Sequence, residues 1–293
     1  MVSVVSGLTR LKKLAINFKS PRSRPTRKSR RSLPTRALLP ALTDFNFQGV
    51  SEYLEDLVAR IHAPLLDLFR IRFFHKLIFD IPQLAQSISR TPNFKVLEQA
   101  GVYFSDSRAL ISIQSTLGAG FMRLDISSRR PDWQLLSLAR LCGSFSPQAL
   151  IPVRGLIINP IEPFRASPPL PWQDENSQWL ELLHTFTGVK DLRISSGFTP
   201  RIASALQELV GERVTEVLPP LRALFIEETL SESVPEAFGK FVAARQLAGH
   251  PISISRWDEV VSNRLCLCVI HLQASAPLNT HCLVPETLVT VFS

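Results

Sequence analysis

The chain has 293 residues, 45% of them apolar, with four cysteines and a formal net charge of +8. That apolar content supplies a continuous core, while four cysteines in so long a chain make no disulfide framework and point to a reducing compartment, cytoplasmic or nuclear. No run approaches the roughly 18 apolar residues of a membrane span, no Asn-x-Ser/Thr acceptor occurs, and MVSVVSGLTRLKK places its charges after its short apolar run, which excludes a secretory signal.

The positive charge belongs to one segment. Residues 1–43 hold 11 Lys and Arg and no acid, leaving 22 basic against 25 acidic residues in the remainder. Most of it lies in PRSRPTRKSRR, Pro21 to Arg31.

Taken from the N-terminus, the first apolar segment is LTRLKKLAI, with Leu8, Leu11, Leu14 and Ile16 in the spacing apolar-x-x-apolar-x-x-apolar-x-apolar. After the basic loop, 19–37, the spacing returns at Leu39, Leu42, Phe45 and Phe47. SEYLEDLVARI follows, a predicted helix starting at Ser51, with Leu54, Leu57, Val58 and Ile61 on one face. The spacing recurs at Leu65, Leu68, Ile71 and Phe73, and IPQLAQSIS reads as a short helix. Phe94, Leu97, Ala100 and Val102 come next, then a shorter copy at Phe121, Leu124 and Ile126. The helix DWQLLSLARL has Asp132 as its expected N-cap. Leu150, Val153, Leu156 and Ile158 precede the helix ENSQWLELLHTF. Phe186, Val189, Leu192 and Ile194 precede TPRIASALQELVGE, which opens near a proline and closes near Gly211. Leu218, Leu221, Leu224 and Ile226 precede VPEAFGKFVAARQLAG, and PISIS fits a ninth, partial strand.

Marked at the third apolar residue, the eight copies sit at 14, 45, 71, 100, 124, 156, 192 and 224, in steps of 24 to 36 residues. A repeat of that period with an L-x-x-L-x-L-like core predicts an α/β fold, a leucine-rich-repeat-like solenoid. Strands returned by helices run parallel, with right-handed crossovers. Strands spaced about 4.8 Å apart against helices spaced about 8–10 Å apart bend such a stack. The expectation is a curved parallel sheet in sequential strand order, with helices on the convex side. It forms one domain, 1–258, because each repeat buries its apolar side against its neighbours. Residues 259–293 carry no repeat and form a divergent tail. The first repeat has no polar cap before it, so the chain is expected to start inside a longer protein.

The phrases SGLTRL, SPRSRPTRKSRR, LLPALTDFNFQGVSEYLEDLVARI, DIPQLAQSISRTPNFK, DWQLLSLARLC, ENSQWLELLHTFTGVKDLRIS, TPRIASALQELVGERVTEVLPPL and VAARQLAGHPISISRW resemble the repeat region of F-box/leucine-rich-repeat-like proteins of mushroom-forming fungi. The resemblance covers roughly residues 6 to 258. It implies the client-binding half of a ubiquitin-ligase substrate receptor. The F-box itself, which docks such a receptor onto the ligase adaptor, is absent: SLPTRALLPAL, Ser32 to Leu42, runs straight into the second repeat. The adaptor is therefore an expected partner only if an F-box is supplied elsewhere. The alternative is a free-standing repeat scaffold or a non-functional fragment, with nucleic-acid contact through the basic loop.

Other motifs have plainer readings. The basic run is read as a solvated loop rather than a nucleic-acid site, localisation signal or transit peptide, although clustered Lys and Arg do attract phosphate. RASPPLP, Arg165 to Pro171, matches an SH3-ligand pattern but reads as a stiff insertion in the longest step. Cys266, Cys268, His271, His281 and Cys282 lack structural-zinc spacing and read as an apolar strand with thiols, so no metal or cofactor is expected. No P-loop, His-Glu-x-x-His or Gly-x-Ser-x-Gly motif occurs, and His62, His75 and His184 stand singly, so no enzyme is expected. A monomer that binds an unidentified client protein remains, without membrane or nucleic acid.

Strand side chains alternate between faces, so residues between the buried marks share the concave face. This places Ala15 and Asn17, Asn46 and Gln48, Arg70 and Arg72, Gly101 and Tyr103, Asp125 and Ser127, Ile157 and Asn159, Arg193 and Ser195, and Phe225 and Glu227 on one surface. Tyr103 and Phe225 are expected there as exposed aromatics, with Arg72 and Arg193 as guanidinium donors and Ile157 as an apolar contact.

Overall fold

Every apolar mark lies on a strand. The computed structural model describes residues 9–18, 36–74, 81–116, 118, 120–128, 131–145, 150–161, 174–209, 211–227, 234–257 and 288–292. The marks fall on β1 (Lys13–Asn17), β3 (Asp44–Gly49), β5 (Leu68–Phe74), β6 (Gln99–Ser105), β8 (Phe121–Ser127), β9 (Gly155–Pro160), β10 (Asp191–Ile194) and β11 (Ala223–Glu227). These join β7 (Arg108–Gln114), β12 (Ser253–Trp257) and β13 (Leu288–Phe292) in an eleven-stranded sheet. Two short strands, β2 (Ala37–Leu38) and β4 (Ile61–His62), pair by themselves.

Helices fill the connections. α1 (Ser51–Arg60) lies between β3 and β5, and α2 (Pro82–Arg90) between β5 and β6. α3 (Pro131–Gly143) leads from β8 toward β9, α4 (Glu175–His184) into β10, α5 (Thr199–Gln207) into β11 and α6 (Val234–Leu247) into β12. The expected helices form, α1 starting at Ser51 as expected, with one correction: Asp132 lies inside α3 rather than at its cap.

One apolar core joins the helices to one face of the sheet. Leu14, Ile16, Phe45, Phe47, Ile71, Phe73, Leu124, Ile126, Leu156, Ile158, Leu192, Ile194, Leu224 and Ile226 are all buried, at 2% exposure or less. Helix stripes such as Leu54 and Leu57, Leu135 and Leu138, Trp179 and Leu182, and Ile202 and Leu206 meet them. Phe104, Trp179 and Phe198 form a three-ring cluster with centroids 5.3–5.9 Å apart, joining β6, α4 and α5.

The strand order departs from the expected sequence. It runs β12-β11-β10-β9-β6-β7-β8-β5-β3-β1-β13. The marks at 71 and 100 are not neighbours: β5 pairs with β8, and β6 with β9. Between them lies β7, antiparallel to both β6 and β8. The reason is a two-residue connection, Asp106-Ser107, which forces an immediate return as a hairpin where a repeat would have a helix. All eight marks still point the same way, because β7 reverses the direction twice.

Two features hold this central meander. Gln134 of α3, fully buried, donates to the carbonyls of Ser105 and Ser128, tying the ends of β6 and β8 to one helix. Gly120, at φ +84°, leads into β8, and its N–H donates to Asp67 at 2.6 Å. A Cβ there would lie 2.3 Å from the Asn93 carbonyl oxygen, so a side chain is excluded by both conformation and space. At the far edge, β13 pairs in parallel with β1, so the described part of the tail extends the sheet.

Candidate functional site

Strand register aligns the second face of the sheet into rows. One row runs Ala15, Asn46, Arg70, Arg123, Ser112, Gly101, Ile157, Arg193, Phe225 and Ser255. The next begins Asn17, Gln48, Arg72, Asp125, Leu110, Tyr103 and Asn159, and Glu227 pairs with Trp257 at its far side. The sequence-derived surface residues therefore do share one face. Their surroundings divide it into two unlike halves.

The first half is basic. Asp125 on β8 lies 3.2 Å from Arg123, 3.6 Å from Arg72 and 4.0 Å from Arg108, all measured to its Oδ2. Arg70 lies 3.7 Å from Asp44. Four guanidiniums thus surround two carboxylates on neighbouring strands. The three cations leave the Asp125 side chain only 3% exposed, whereas Arg72 remains 44% exposed. Asp125 Oδ1 has no hydrogen-bond partner, and only the Arg123 contact is short enough to be a hydrogen bond.

The second half is apolar and aromatic. The Arg193 guanidinium sits over the Phe225 ring, 5.3 Å from its centroid, a cation–π contact. Ile157 flanks Arg193 on β9. Trp257 on β12 donates its indole N–H to the Ile194 carbonyl two strands away. Glu227 is partly used already, since its carboxylate accepts the Ser196 N–H at 2.8 Å and holds the turn into α5. Arg193, Phe225, Ile157 and Glu227 are all half-buried.

Five of the predicted surface residues, Gly101 and Ser195 among them, are buried and not available as expected. Tyr103 is buried at 6% exposure, Asn159 at 3% and Asp125 at 2%. Tyr103 folds flat over Gly101, where an added Cβ would come within 2.6 Å of its ring and hydroxyl. With Leu110, these residues form a buried seam across the middle of the face. Alternation fixes which face a side chain takes, not whether neighbours cover it. Asn17, Asn46, Gln48 and Arg70 are half-buried.

Sequence reasoning missed Arg108, Arg123 and Trp257. Arg108 belongs to the unrecognised β7. Arg123 was accessible to it, because it has the same parity as Asp125, already placed on this face, whereas Trp257 lies beyond the PISIS segment read as the partial ninth strand.

Little else in the described structure invites chemistry. Among the described residues no three His, Cys, Asp or Glu are grouped to hold a metal ion, and no helix is long and apolar enough to cross a membrane. His62 and His184 are exposed and far apart in sequence, with His184 Nδ1 3.2 Å from the Glu216 carbonyl. A cavity of about 150 Å³ between β1, β3 and α1 is lined by Phe18, Phe47, Tyr53, Asp56 and Arg60. Ligand pockets usually start near about 300 Å³, so it does not resemble one. The basic run, RASPPLP, His75 and the Cys/His group of the tail lie outside the described residues.

Compared with known protein families, curated proteins and solved structures, the chain matches none.

Proposed function

We propose that the chain is a protein-recognition scaffold whose working surface is the sheet face opposite the helices. The observation that carries this reading is the register itself. Strand after strand brings arginine, amide, aromatic and aliphatic side chains into register on a face that the main core does not use. Guanidinium and aromatic groups are the types that dominate binding energy at interfaces. Among the described residues the cavity noted above lies elsewhere, and a broad face of this kind suits a protein partner better than a small molecule.

The finer reading is a leucine-rich-repeat-like arc with its helices outside and this face concave. The recurring spacing supports it, and the packing mismatch between strands and helices supplies its curvature. The central meander interrupts the repeat and would be an insertion within the arc. By resemblance, the scaffold acts as the client-binding half of an F-box ubiquitin-ligase receptor, a step that rests on analogy. On this reading the purified chain does not bind the ligase adaptor, and tight adaptor binding would reveal an unrecognised docking module.

The test is affinity capture of the full chain from cells, followed by substitution. Arg72→Glu with Arg193→Glu, or Phe225→Ala, should deplete a captured client at least tenfold, the scale of an interface hot spot. Glu181→Lys and Lys240→Glu on the exposed helix layer should leave capture unchanged. Loss from the helix-layer changes alone would place the site on the other side. Tyr103→Ala is unsuitable, because Tyr103 is buried and its truncation would report on folding.

A further inference from the structure

The basic half of the face specifies a partner more closely than its general character does. Each guanidinium carries five N–H donors and no acceptor. Arg72 and Arg108 approach Asp125 only at 3.6 and 4.0 Å, too far for hydrogen bonds, and both contacts fall on one oxygen. Among the described residues neither guanidinium donates a hydrogen bond from its side chain. Arg72, Arg108 and Arg123 around the one Asp125 carboxylate therefore keep an excess of two positive charges, and Arg72 and Arg108 keep a surplus of unspent donors, on a partly exposed surface that Arg70 and Asp44 adjoin.

Resting on the protein-recognition reading above, we infer that this cluster is a receptor for an oxyanion carried on a peptide, with a second contact for an apolar side chain on the Ile157–Phe225–Trp257 half. Planar guanidiniums match carboxylate and phosphate oxygens bidentately, which supports the first contact. Nucleic acid fits less well. Two carboxylates sit among the arginines and would oppose a phosphate backbone, and the cluster spans room for one or two anionic groups rather than a tract.

Register gives the spacing. From β8 to β9 is three strand steps, and from β8 to β11 is five. At about 4.8 Å per step these are roughly 14 and 24 Å. An extended segment rising about 3.3 Å per residue spans them in roughly four to seven residues. The partner is thus a segment with a phosphorylated or acidic residue, followed or preceded at that distance by a large apolar one.

The experiment uses the full chain against immobilised twelve-residue peptides. One arm carries phosphoserine, a second carries a Glu-Glu pair and a third carries serine, each with a leucine placed two to nine positions away. Retention of the anionic arms at least about tenfold above serine, greatest at four to seven positions, is expected. The two anionic arms separate phosphate from carboxylate as the source. Arg72→Gln with Arg108→Gln should abolish the difference between arms. Arg72→Lys with Arg108→Lys should keep part of it, because charge remains without the fork. Asp125→Asn should tighten anionic binding severalfold, since it removes the competing carboxylate. A purely structural role for Asp125 predicts no tightening. Equal retention of all arms, no retention of any, or indifference to the arginine changes overturns the inference. Preferential displacement by a single-stranded oligonucleotide overturns it in favour of nucleic acid. If Phe225→Ala weakens peptides while the arginine changes do not, this inference fails and the face survives as a binding surface. If only Lys240→Glu matters, the face itself is wrong.

Discussion

Arg245 is the largest charged side chain in the core, and among the described residues it forms no ion pair with a carboxylate. Its guanidinium donates to the carbonyls of Val214, Pro219 and Leu221, so one side chain of α6 gathers the loop that leads into β11. Burial lowers its pKa from the ordinary arginine value, because desolvation disfavours the cation. Those carbonyls have lost water and depend on the arginine. Arg245→Ala should therefore cost roughly 3 kcal/mol or more by urea denaturation, combining a cavity with unsatisfied acceptors. Arg245→Met should cost less, since it refills the space, and a change within about 0.5 kcal/mol for the alanine variant would show that the loop is held otherwise. Cys142 shows the opposite chemistry. Burial pushes its thiol up to about 12, from an ordinary 9.0, by penalising the thiolate. The folded state thus favours the protonated thiol, and this contribution is complete below pH 9 and lost as pH rises toward 12. Iodoacetamide at pH 8 should leave Cys142 unmodified in the native chain and modify it fully in denaturant, as read by peptide mapping. Labelling at equal rates in both would contradict its burial.

Glu55 illustrates how elements are coupled through positions that look like surface. It sits on the outer part of α1, yet its carboxylate accepts the Gln83 and Leu84 N–H groups at 2.9 and 2.8 Å. Those are first-turn amides of α2, which lack intrahelical partners and where negative charge is favoured. Glu55→Ala should destabilise the chain by about 1–2 kcal/mol, as loss of a helix cap does, and should accelerate exchange at the amides of Gln83 and Leu84. Unchanged exchange there would mean that the cap contributes nothing. No sequence signal marks Glu55 for this role, because its partner lies 28 residues away. The strands and helices were far more legible. Leu14 and Ile16, Leu192 and Ile194, and their counterparts announce a buried strand face through spacing alone. What spacing could not give was the neighbour order, since every parallel mark looks alike. The hairpin between β6 and β7 was readable in principle, as GVYFS and RALISIQ flank a two-residue Asp-Ser turn, but β7 is antiparallel and lacks the repeat spacing. Missing it hid Arg108 and left the basic cluster unrecognised. The burial of Tyr103 had only an indirect sign, a glycine two residues earlier on the same face.

At the scale of the whole molecule, the sheet's two edges differ in what protects them. β12 is an edge with Arg256 on a largely exposed strand, a charged and short edge of the kind that discourages further pairing. β1 would be the other edge, but β13 pairs with it from Lys13↔Leu288 to Asn17↔Phe292. The last described strand therefore lies beside the first, across a sheet of eleven strands. Ten strand steps amount to about 48 Å, and the 30 residues from 258 to 287 can reach about 100 Å when extended, so length does not forbid the return. LVTVF brings Val289 and Val291, β-branched residues suited to a strand, level with Leu14 and Ile16. In a parallel pair each strand offers alternate amides to either neighbour, so β1 bonds β3 with one set and β13 with the other. A chain ending at residue 257 should keep the β3 set protected and lose protection of the β13 set. Hydrogen-exchange mass spectrometry should then show faster exchange in peptides covering 13–17, with 191–194 and 223–227 unchanged. The truncated chain should also self-associate more readily, because an unpaired β1 offers its backbone to another copy. Thr290→Pro in the full chain should reproduce the exchange effect, since proline removes a ladder donor and is poorly tolerated within a strand. Identical exchange at 13–17 in all three chains would mean that β13 does not protect this edge and that β1 is the true end of the sheet.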